Sequence, residues 1–260
     1  MKFFSLSILL IVLSSCSVDV DYHVPITRFE SPETNGKFLS GNASASFGLS
    51  QKVQLAEVSE DIIFNFAGPS VDNDSQWDNS AAFGAQLGLG ILDRMDLVFR
   101  GNHDSPDTFG LKFQIFGSSR LEKKNGFKMS YVATYGTSEN SDGTLVINSN
   151  NYSTNLAIDV IDQELIFGHR YNEELIFYLN TFYSYYDVEA KLSSTSVTDQ
   201  NIKGKTRSFG ALFGIEYNAP TSGAASIFLK GETGFARSEW ESTSHLSTSP
   251  VLGAAMGIHW

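Results

Sequence analysis

The chain has 260 residues, with 29 acidic against 18 basic side chains and a formal net charge of −11. Phosphates would be repelled by that balance, so the composition argues against nucleic acid as a partner. Glycine and aromatic residues are abundant, proline is sparse, and only 18% of the residues are charged, which is typical of β architecture and not of disorder.

The first residues have the pattern of a targeting segment. Lys2 supplies a positive charge, and Phe3–Leu13 is an apolar run too short to span a bilayer as a helix. The Leu-Ser-Ser-Cys that ends at Cys16 resembles the lipobox of bacterial lipoproteins, in which the cysteine is acylated and becomes the first mature residue. The resemblance implies a lipoprotein signal peptide over residues 1–15 and an outer-membrane address, because no aspartate occupies the next two positions. A plain secretory signal with an incidental cysteine is the alternative.

The rest of the chain divides into a tether and a barrel. Cys16 is the only cysteine, which excludes an intramolecular disulfide and a cysteine-based metal site or nucleophile. Residues 16–36 carry prolines and acidic residues with little periodicity, and we interpret them as a lipidated N-terminal tether. Residues 37–260 contain no apolar run long enough for a transmembrane helix, so a barrel is the structure left that can cross a bilayer.

Apolar and polar residues alternate through most of residues 37–260, as they do along half-buried strands. Within 152–168 the pattern predicts Leu156, Ile158 and Val160 on the outer face, and a β-bulge near Asp162 where the phase slips. Polar loops are predicted at 57–80, 102–107, 137–151, 191–203 and 239–249, and 59–67 could add a short strand. Ten strands are predicted, with twelve possible, at 39–55, 81–91, 95–101, 109–117, 127–136, 152–168, 175–190, 206–217, 225–235 and 252–260.

The closing strand distinguishes a membrane barrel from a soluble one. Its apolar residues alternate with small or polar ones up to the C-terminal aromatic residue, a pattern that resembles the assembly signal of outer-membrane barrels. These apolar residues are Leu252, Ala254, Met256, Ile258 and Trp260. A soluble lipocalin-like barrel would instead carry dense charge on its polar face. The sequence therefore predicts an all-β, antiparallel, up-and-down transmembrane β-barrel in the bacterial outer membrane.

The polar faces of the predicted strands carry charges of both signs. The residues predicted to line the lumen are Lys52, Asp96, Arg100, Lys112, Lys128, Asp159, Arg207, Glu216, Lys230 and Glu232. They could line a narrow pore for small solutes, or they could neutralise one another in a mostly closed lumen. About ten strands enclose little space, which favours the closed lumen and a structural or surface-interaction role.

Catalysis is a third alternative. His103 with Asp104, together with His245, could form a hydrolase active site at the outer rim. Nothing in their spacing repeats the motifs of omptin proteases, lipid A deacylases or barrel phospholipases, so we expect no enzyme and no cofactor.

The acidic residues between Asp72 and Asp78 are similar to a calcium loop but lack its central glycine and terminal glutamate. We therefore predict a solvated loop and no metal site. The expected partners are outer-membrane lipids and lipopolysaccharide, which divalent ions could bridge to this loop, and the barrel-assembly and lipoprotein-sorting machinery. The oligomeric state stays open.

Overall fold

A computed structural model describes residues 17–59, 79–103, 105–147, 150–194, 200–220, 225–240 and 245–260. Most of these residues lie in strands, and no helix among them is long and apolar enough to span a membrane. The strands are β1 (Ser17–Pro25), β2 (Gly41–Ser59), β3 (Asn79–Leu92), β4 (Met95–Asn102), β5 (Ser105–Phe116), β6 (Gly126–Ile147), β7 (Asn150–Arg170), β8 (Leu175–Ser194), β9 (Gln200–Asn218), β10 (Ser226–Trp240) and β11 (His245–His259). A 3-10 helix, Arg120–Glu122, lies between β5 and β6.

Strands β2 to β11 form a closed antiparallel barrel in which each strand pairs with its neighbours along the chain. β2 pairs with β3 on one edge and with β11 on the other, and the second pairing joins residues 42–47 to residues 254–259. The predicted ten-stranded antiparallel barrel is therefore confirmed. β1 is an additional strand, which pairs with the part of β2 beyond Leu49.

The outside of the barrel is apolar and its inside is polar. In β11, Leu252 and Met256 are exposed, whereas His259 is buried in the lumen. Every barrel strand exposes at least one large hydrophobic residue, for example Phe47, Phe83, Phe99, Phe109, Tyr135, Ile161, Tyr183, Phe213, Phe235 and Leu252 from β2 to β11. A soluble lipocalin-like barrel would turn this face inward. The chain is therefore a membrane-spanning β-barrel of the outer-membrane type.

The two ends of the barrel differ in their connections. Short segments, residues 93–94, 117–125 and 171–174, join strands at one end. Gly41 and Trp260 exchange two backbone hydrogen bonds of 3.0 Å at that same end. Short turns mark the periplasmic side of outer-membrane barrels, so this is the periplasmic end and the opposite end is the outer end.

The wall of the barrel is uneven in height. β6, β7, β8 and β9 have 22, 21, 20 and 19 residues, and we name them the tall wall. β3, β4 and β5 have 14, 8 and 12 residues and form the short wall. The tall wall extends beyond the exposed aromatic residues at its outer end, such as Tyr135, Tyr183 and Phe209, and so projects out of the membrane.

Four of the predicted loops are wrong for most of their length. Residues 137–147 continue β6, β7 begins at Asn150, and strands occupy most of 191–203 and 239–249. Strand residues also occupy most of 102–107. Beyond the membrane neither face of a strand meets lipid, so polar residues occur on both faces and the period-2 signal disappears. The possible strand within 59–67 lies almost entirely outside the described residues.

The predicted tether is also wrong. Ser17–Pro25 forms β1, and residues 26–35, which we name the plug, lie inside the barrel with all but the half-buried Thr27 buried. The segment lacks a clear period because β1 is short and the plug is not a strand. Its charges are matched by charges on the barrel wall.

The predicted phase of β7 is reversed near its outer end. Ile158 and Val160 are buried and Asp159 is exposed, and the pairing of β7 with β8 runs without a bulge through Asp162. Val53 of β2 is likewise buried in the lumen. An apolar side chain indicates the lipid-facing side of a strand only where the strand crosses the membrane. Near the outer end of the barrel the lumen is apolar too, so apolar residues there face inward.

Candidate functional site

The lumen holds the most unusual arrangement in the molecule, because the plug and the barrel wall share one network of buried charges. Seven basic and seven acidic side chains are buried there among the described residues. The basic ones are Arg28, Arg100, Lys112, Arg120, Lys128, Arg170 and Lys230, and the acidic ones are Glu30, Glu33, Asp96, Asp162, Glu164, Glu216 and Glu232. Equal numbers of each sign allow every charge a partner, which buried charges require.

The outermost charged contacts of the plug are made by Arg28. Its guanidinium lies 3.3 Å from the carboxylate of Asp162 and donates a 2.7 Å hydrogen bond to the hydroxyl of Ser184. It also stacks over the ring of Phe182, with its carbon 4.1 Å from the ring centroid. β7 and β8 therefore hold this side chain by charge, hydrogen bond and ring contact together.

Glu232 of β10 holds the backbone of the plug. The amides of Arg28 and Phe29 donate hydrogen bonds of 2.9 and 2.8 Å to its two carboxylate oxygens, and the hydroxyl of Tyr178 donates a third at 3.0 Å. Phe29 has a φ of +53°, a conformation that is uncommon for non-glycine residues. The ammonium of Lys230 donates to the carbonyl of Phe29 at 2.8 Å. Two charged groups on one strand thus fix this bend on both sides.

Glu30 joins the plug to the short wall. Its carboxylate lies 3.1 Å from the ammonium of Lys112 and 3.2 Å from the guanidinium of Arg100. Arg100 also lies 2.9 Å from Asp162 and contacts Glu164. Because Asp162 also contacts Arg28, one continuous chain of charges runs from the short wall through the plug to the tall wall.

Near the periplasmic end, Glu33 joins the plug to β6 and β7. It accepts hydrogen bonds of 2.8 and 2.5 Å from the guanidinium of Arg170 and lies 3.4 Å from the ammonium of Lys128. Two residues later, Asn35 donates its backbone amide to the carboxylate of Asp96 at 2.9 Å. These contacts hold the plug against β4, β6 and β7 before the chain leaves the lumen.

A second insertion enters from the periplasmic side. Arg120, in the 3-10 helix between β5 and β6, is buried and contacts Glu216, the Nε2 atom of His259 and, at 3.0 Å, the hydroxyl of Ser31. Outside the lumen, the exposed Glu122 accepts a hydrogen bond from Lys124, which lowers the pKa of Glu122. The turn therefore sends one charge inward and keeps the others in solvent.

The outer part of the lumen is apolar. Tyr22 and Val24 of β1 and Val53 of β2 pack against residues of β7 and β8 on the far side of the barrel. The rings of Tyr22 and Tyr186 lie 6.2 Å apart, and the Tyr22 hydroxyl forms a hydrogen bond with Thr206. The residues that β7 and β8 contribute are Ile158, Val160, Tyr186, Val188 and Ala190. β1 and the outer part of β2 thus fill the lumen above the charge network.

The structure places the predicted lumen charges as follows. Buried in the lumen are Asp96, Arg100, Lys112, Lys128, Glu216, Lys230 and Glu232. Arg207 is exposed, and its prediction as a lumen residue is wrong because its neighbours Thr206 and Ser208 face inward. Asp159 is exposed for the same reason. The side chain of Lys52 is outside the part that the structure describes.

Sequence reasoning missed half of the network. Arg28, Glu30 and Glu33 lie in the segment that the sequence predicts to be a tether, and Arg120 lies between two predicted strands, 109–117 and 127–136. Strand phase could have identified part of the missing set. Asp162, Glu164 and Arg170 all occupy even positions of β7, so they are expected on one face of the strand.

The two histidines of the rim-catalysis hypothesis, His103 and His245, lie apart in the barrel. His103 is in the turn between β4 and β5, and His245 begins β11, three strands away around the barrel. Asp104 and the side chain of His245 are not among the described residues, and neither is the acidic loop from Asp72 to Asp78. Within the described ranges no group of three or more His, Cys, Asp or Glu residues could hold a metal ion.

Comparisons with known proteins add little to this geometry. No protein-family model matches the chain, and no curated protein matches it. Among solved structures, Ail, the attachment invasion locus protein of Yersinia pestis, in complex with the heparin analogue sucrose octasulfate, has a TM-score of 0.31 and 12% identity, over 86% of this chain and 98% of that one. The outer membrane protease OmpT from Escherichia coli has a TM-score of 0.35 and 6% identity, over 95% and 96%. Such scores carry no functional argument, and the fold rests on the strand pairing of this chain.

Proposed function

We propose that this chain is a lipid-anchored outer-membrane barrel with a structural or surface-interaction role and a closed lumen. The observation that carries the proposal is the buried charge network, in which the plug supplies Arg28, Glu30 and Glu33 to partners on the opposed walls. Several charge pairs are satisfied at once, so displacing the plug would expose many unpaired charges together. A solute pore would need that displacement before anything could pass.

The free space in the lumen supports the same conclusion. A cavity of about 40 Å³ lies beside Arg28, Arg100 and Asp162. A volume of this size holds a few water molecules and not a path for solutes. The buried Nε atoms of Arg28 and Arg100, which have no hydrogen-bond partner in the described part of the protein, fit such a hydrated space.

The tall wall supports a role outside the membrane. Its outward face beyond the aromatic residues carries ordered charge pairs, with the Glu189 carboxylate 2.9 Å from Lys203 and 3.4 Å from Lys191. Asp159, Asp187 and Lys205 extend this surface into a shallow groove. A rigid, polar β-surface projecting from the membrane suits contact with lipopolysaccharide sugars or an external partner.

Three further roles belong to the proposal. Cys16 would carry the lipid, and the lipoprotein-sorting machinery would deliver the chain. The exposed residues of the closing strand, Leu252, Ala254, Met256, Ile258 and Trp260, would be the signal read by the barrel-assembly machinery. Labelled fatty acid should enter the wild type and not Cys16→Ser, and equal labelling of both would exclude the lipid.

Conductance tests the closed lumen. The full-length mature barrel, refolded and shown to be inserted in a planar bilayer, should give no discrete current steps. Steps whose ion selectivity changes in Lys112→Glu or Lys230→Glu would make the protein a pore lined by those residues and would overturn the closed lumen.

A further inference from the structure

The path of residues 17–40 through the barrel indicates on which side of the membrane the N-terminal part of the chain lies. β2 begins at Gly41, which is bonded to Trp260 at the periplasmic end, and runs to Ser59 at the outer end. β1 is antiparallel to β2, with Ser17 opposite Ser59 and Pro25 opposite Ser50. The first described residue therefore lies at the outer end of the hairpin.

The contacts of the plug give the same direction independently of β1. Read back from β2, the chain passes Asp96 with Asn35, then Arg170 with Glu33, then Lys112 with Glu30. It next meets Asp162 through Arg28 and finally Leu49 of β2 through the backbone amide of Ile26. Along β4 the contacts move from Asp96 to Arg100, which also pairs with Glu30, and along β7 they move from Arg170 to Asp162. The chain therefore climbs through the lumen from the periplasmic end to the outer end.

We propose that the N-terminal arm threads the barrel and places Ser17, and with it Cys16, on the outer side of the membrane. Cys16 is joined to Ser17 by one peptide bond, which keeps their Cα atoms about 3.8 Å apart. If Cys16 is acylated, as proposed above, its acyl chains would insert into the outer leaflet. Only this last statement rests on the proposed lipidation.

The chain is long enough for that insertion. Tyr22 lies opposite Val53, six residues along β2 from Phe47, which is exposed on the outer face of the barrel and packs against Phe83. Six strand residues span roughly 20 Å, and the chain from Tyr22 back to Cys16 can cover about the same distance. Tyr22 and Val24 can therefore stay in the outer lumen while Ser17–Asp21 leave β2 and lead the cysteine back to the membrane.

Thiol labelling on whole cells tests the topology. Val18→Cys, in the otherwise complete chain, is exposed to a maleimide–polyethylene glycol too large to pass the outer membrane, beside the unsubstituted chain, in which any labelling comes from Cys16. Lys203→Cys on the outward face of the tall wall is the matched outer control, and Glu173→Cys in the turn between β7 and β8 is the matched periplasmic control. We expect Val18→Cys to be labelled on intact cells to the extent of Lys203→Cys, with no gain on permeabilisation.

Labelling of Val18→Cys only after permeabilisation, as for Glu173→Cys, would overturn the proposal. A second measurement covers a thiol hidden by packing: an epitope inserted between Ser17 and Val18 should bind antibody on intact cells, and binding only to broken cells would also overturn it. Fatty-acid labelling of Cys16 separates the two ideas. Surface labelling without the fatty acid removes the lipid and keeps the route, whereas lipid with a periplasmic N-terminus removes the route alone.

Discussion

The lumen has two halves of opposite chemistry, built partly from the same strands. On β7, Ile158 and Val160 belong to the apolar outer half, and two residues further along, Asp162 and Glu164 begin the charged inner half. The change follows what fills each half, since β1 brings Tyr22 and Val24 to the outer half and the plug brings charges to the inner one. The polarity of a barrel interior is therefore set by its filling and not by depth in the membrane.

The two halves should also respond differently to mutation. A buried charge that loses its partner is left uncompensated at high cost, whereas an apolar core that loses atoms can partly close around the gap. The charged half should thus hold the plug in one position. The apolar half should stabilise β1 with less dependence on any one side chain.

The largest effect is expected for Arg100→Met in the charged half. Arg100 contacts Glu30, Asp162 and Glu164, so its loss leaves three carboxylates short of a partner. The free energy of unfolding should fall by about 3–5 kcal/mol, the range for breaking a buried charge pair. Urea titration of the barrel in detergent, followed by the gel shift between folded and unfolded forms, measures this. Arg207→Met, on the exposed face, is the matched control, and equal loss in both variants would contradict the network.

A smaller loss is expected for Ile158→Ala in the apolar half. Ile158 is buried against β1 and β8, and truncating a buried isoleucine costs about 2–5 kcal/mol, less where the site can close. Protease cleavage within Ser17–Pro25 should also rise as β1 loosens. Ile161→Ala, three residues away and lipid-facing, is the control for the same chemical change. If cleavage rises equally in that control, β1 is not held by the outer half.

Glu232→Gln tests the bend that lies between the two halves. The carboxylate of Glu232 accepts from the backbone N–H groups of Arg28 and Phe29 with a separate oxygen for each. The side chain of glutamine has only one acceptor oxygen, so it cannot keep both hydrogen bonds in this arrangement. The loss should be about 1–3 kcal/mol, and the loosened plug should give brief current steps in a planar bilayer that the wild type lacks. Glu239→Gln, which faces outward on the same strand, should give no current steps. Silence in both variants would mean that the plug does not depend on this carboxylate.

The membrane-spanning part of the barrel could be predicted from the sequence because contact with lipid requires apolar residues at alternate positions of each strand. Where strands cross the membrane, as in β3 and the end of β11, one face must be apolar and the alternation is unmistakable. The same rule failed outside the membrane, where residues 137–147 are strand without alternation. It also failed for Val160, which is apolar because it faces β1.

The filling of the lumen could be predicted only in part. Wall charges such as Lys112 and Glu216 follow from strand phase, because they alternate with lipid-facing residues. Nothing local distinguishes Arg28, Glu30 and Glu33 from the charges of a solvated linker, since their charged partners are 70 or more residues away in sequence.

The smallest effect is expected for Gly253→Ala, where the wall of β11 approaches the bend of the plug. A Cβ there would lie 2.6 Å from the ring of Phe29 and 2.9 Å from a methyl group of Thr27, so the plug must shift. Overpacking of this kind costs about 1–3 kcal/mol, and the flexible Thr27 side chain favours the lower end. Gly231→Ala on neighbouring β10 is the matched control, because its Cβ would meet only Ile215 at 3.7 Å. Urea midpoints that fall for Gly253→Ala alone would place the plug against β11, whereas equal midpoints would mean that Phe29 is not seated there.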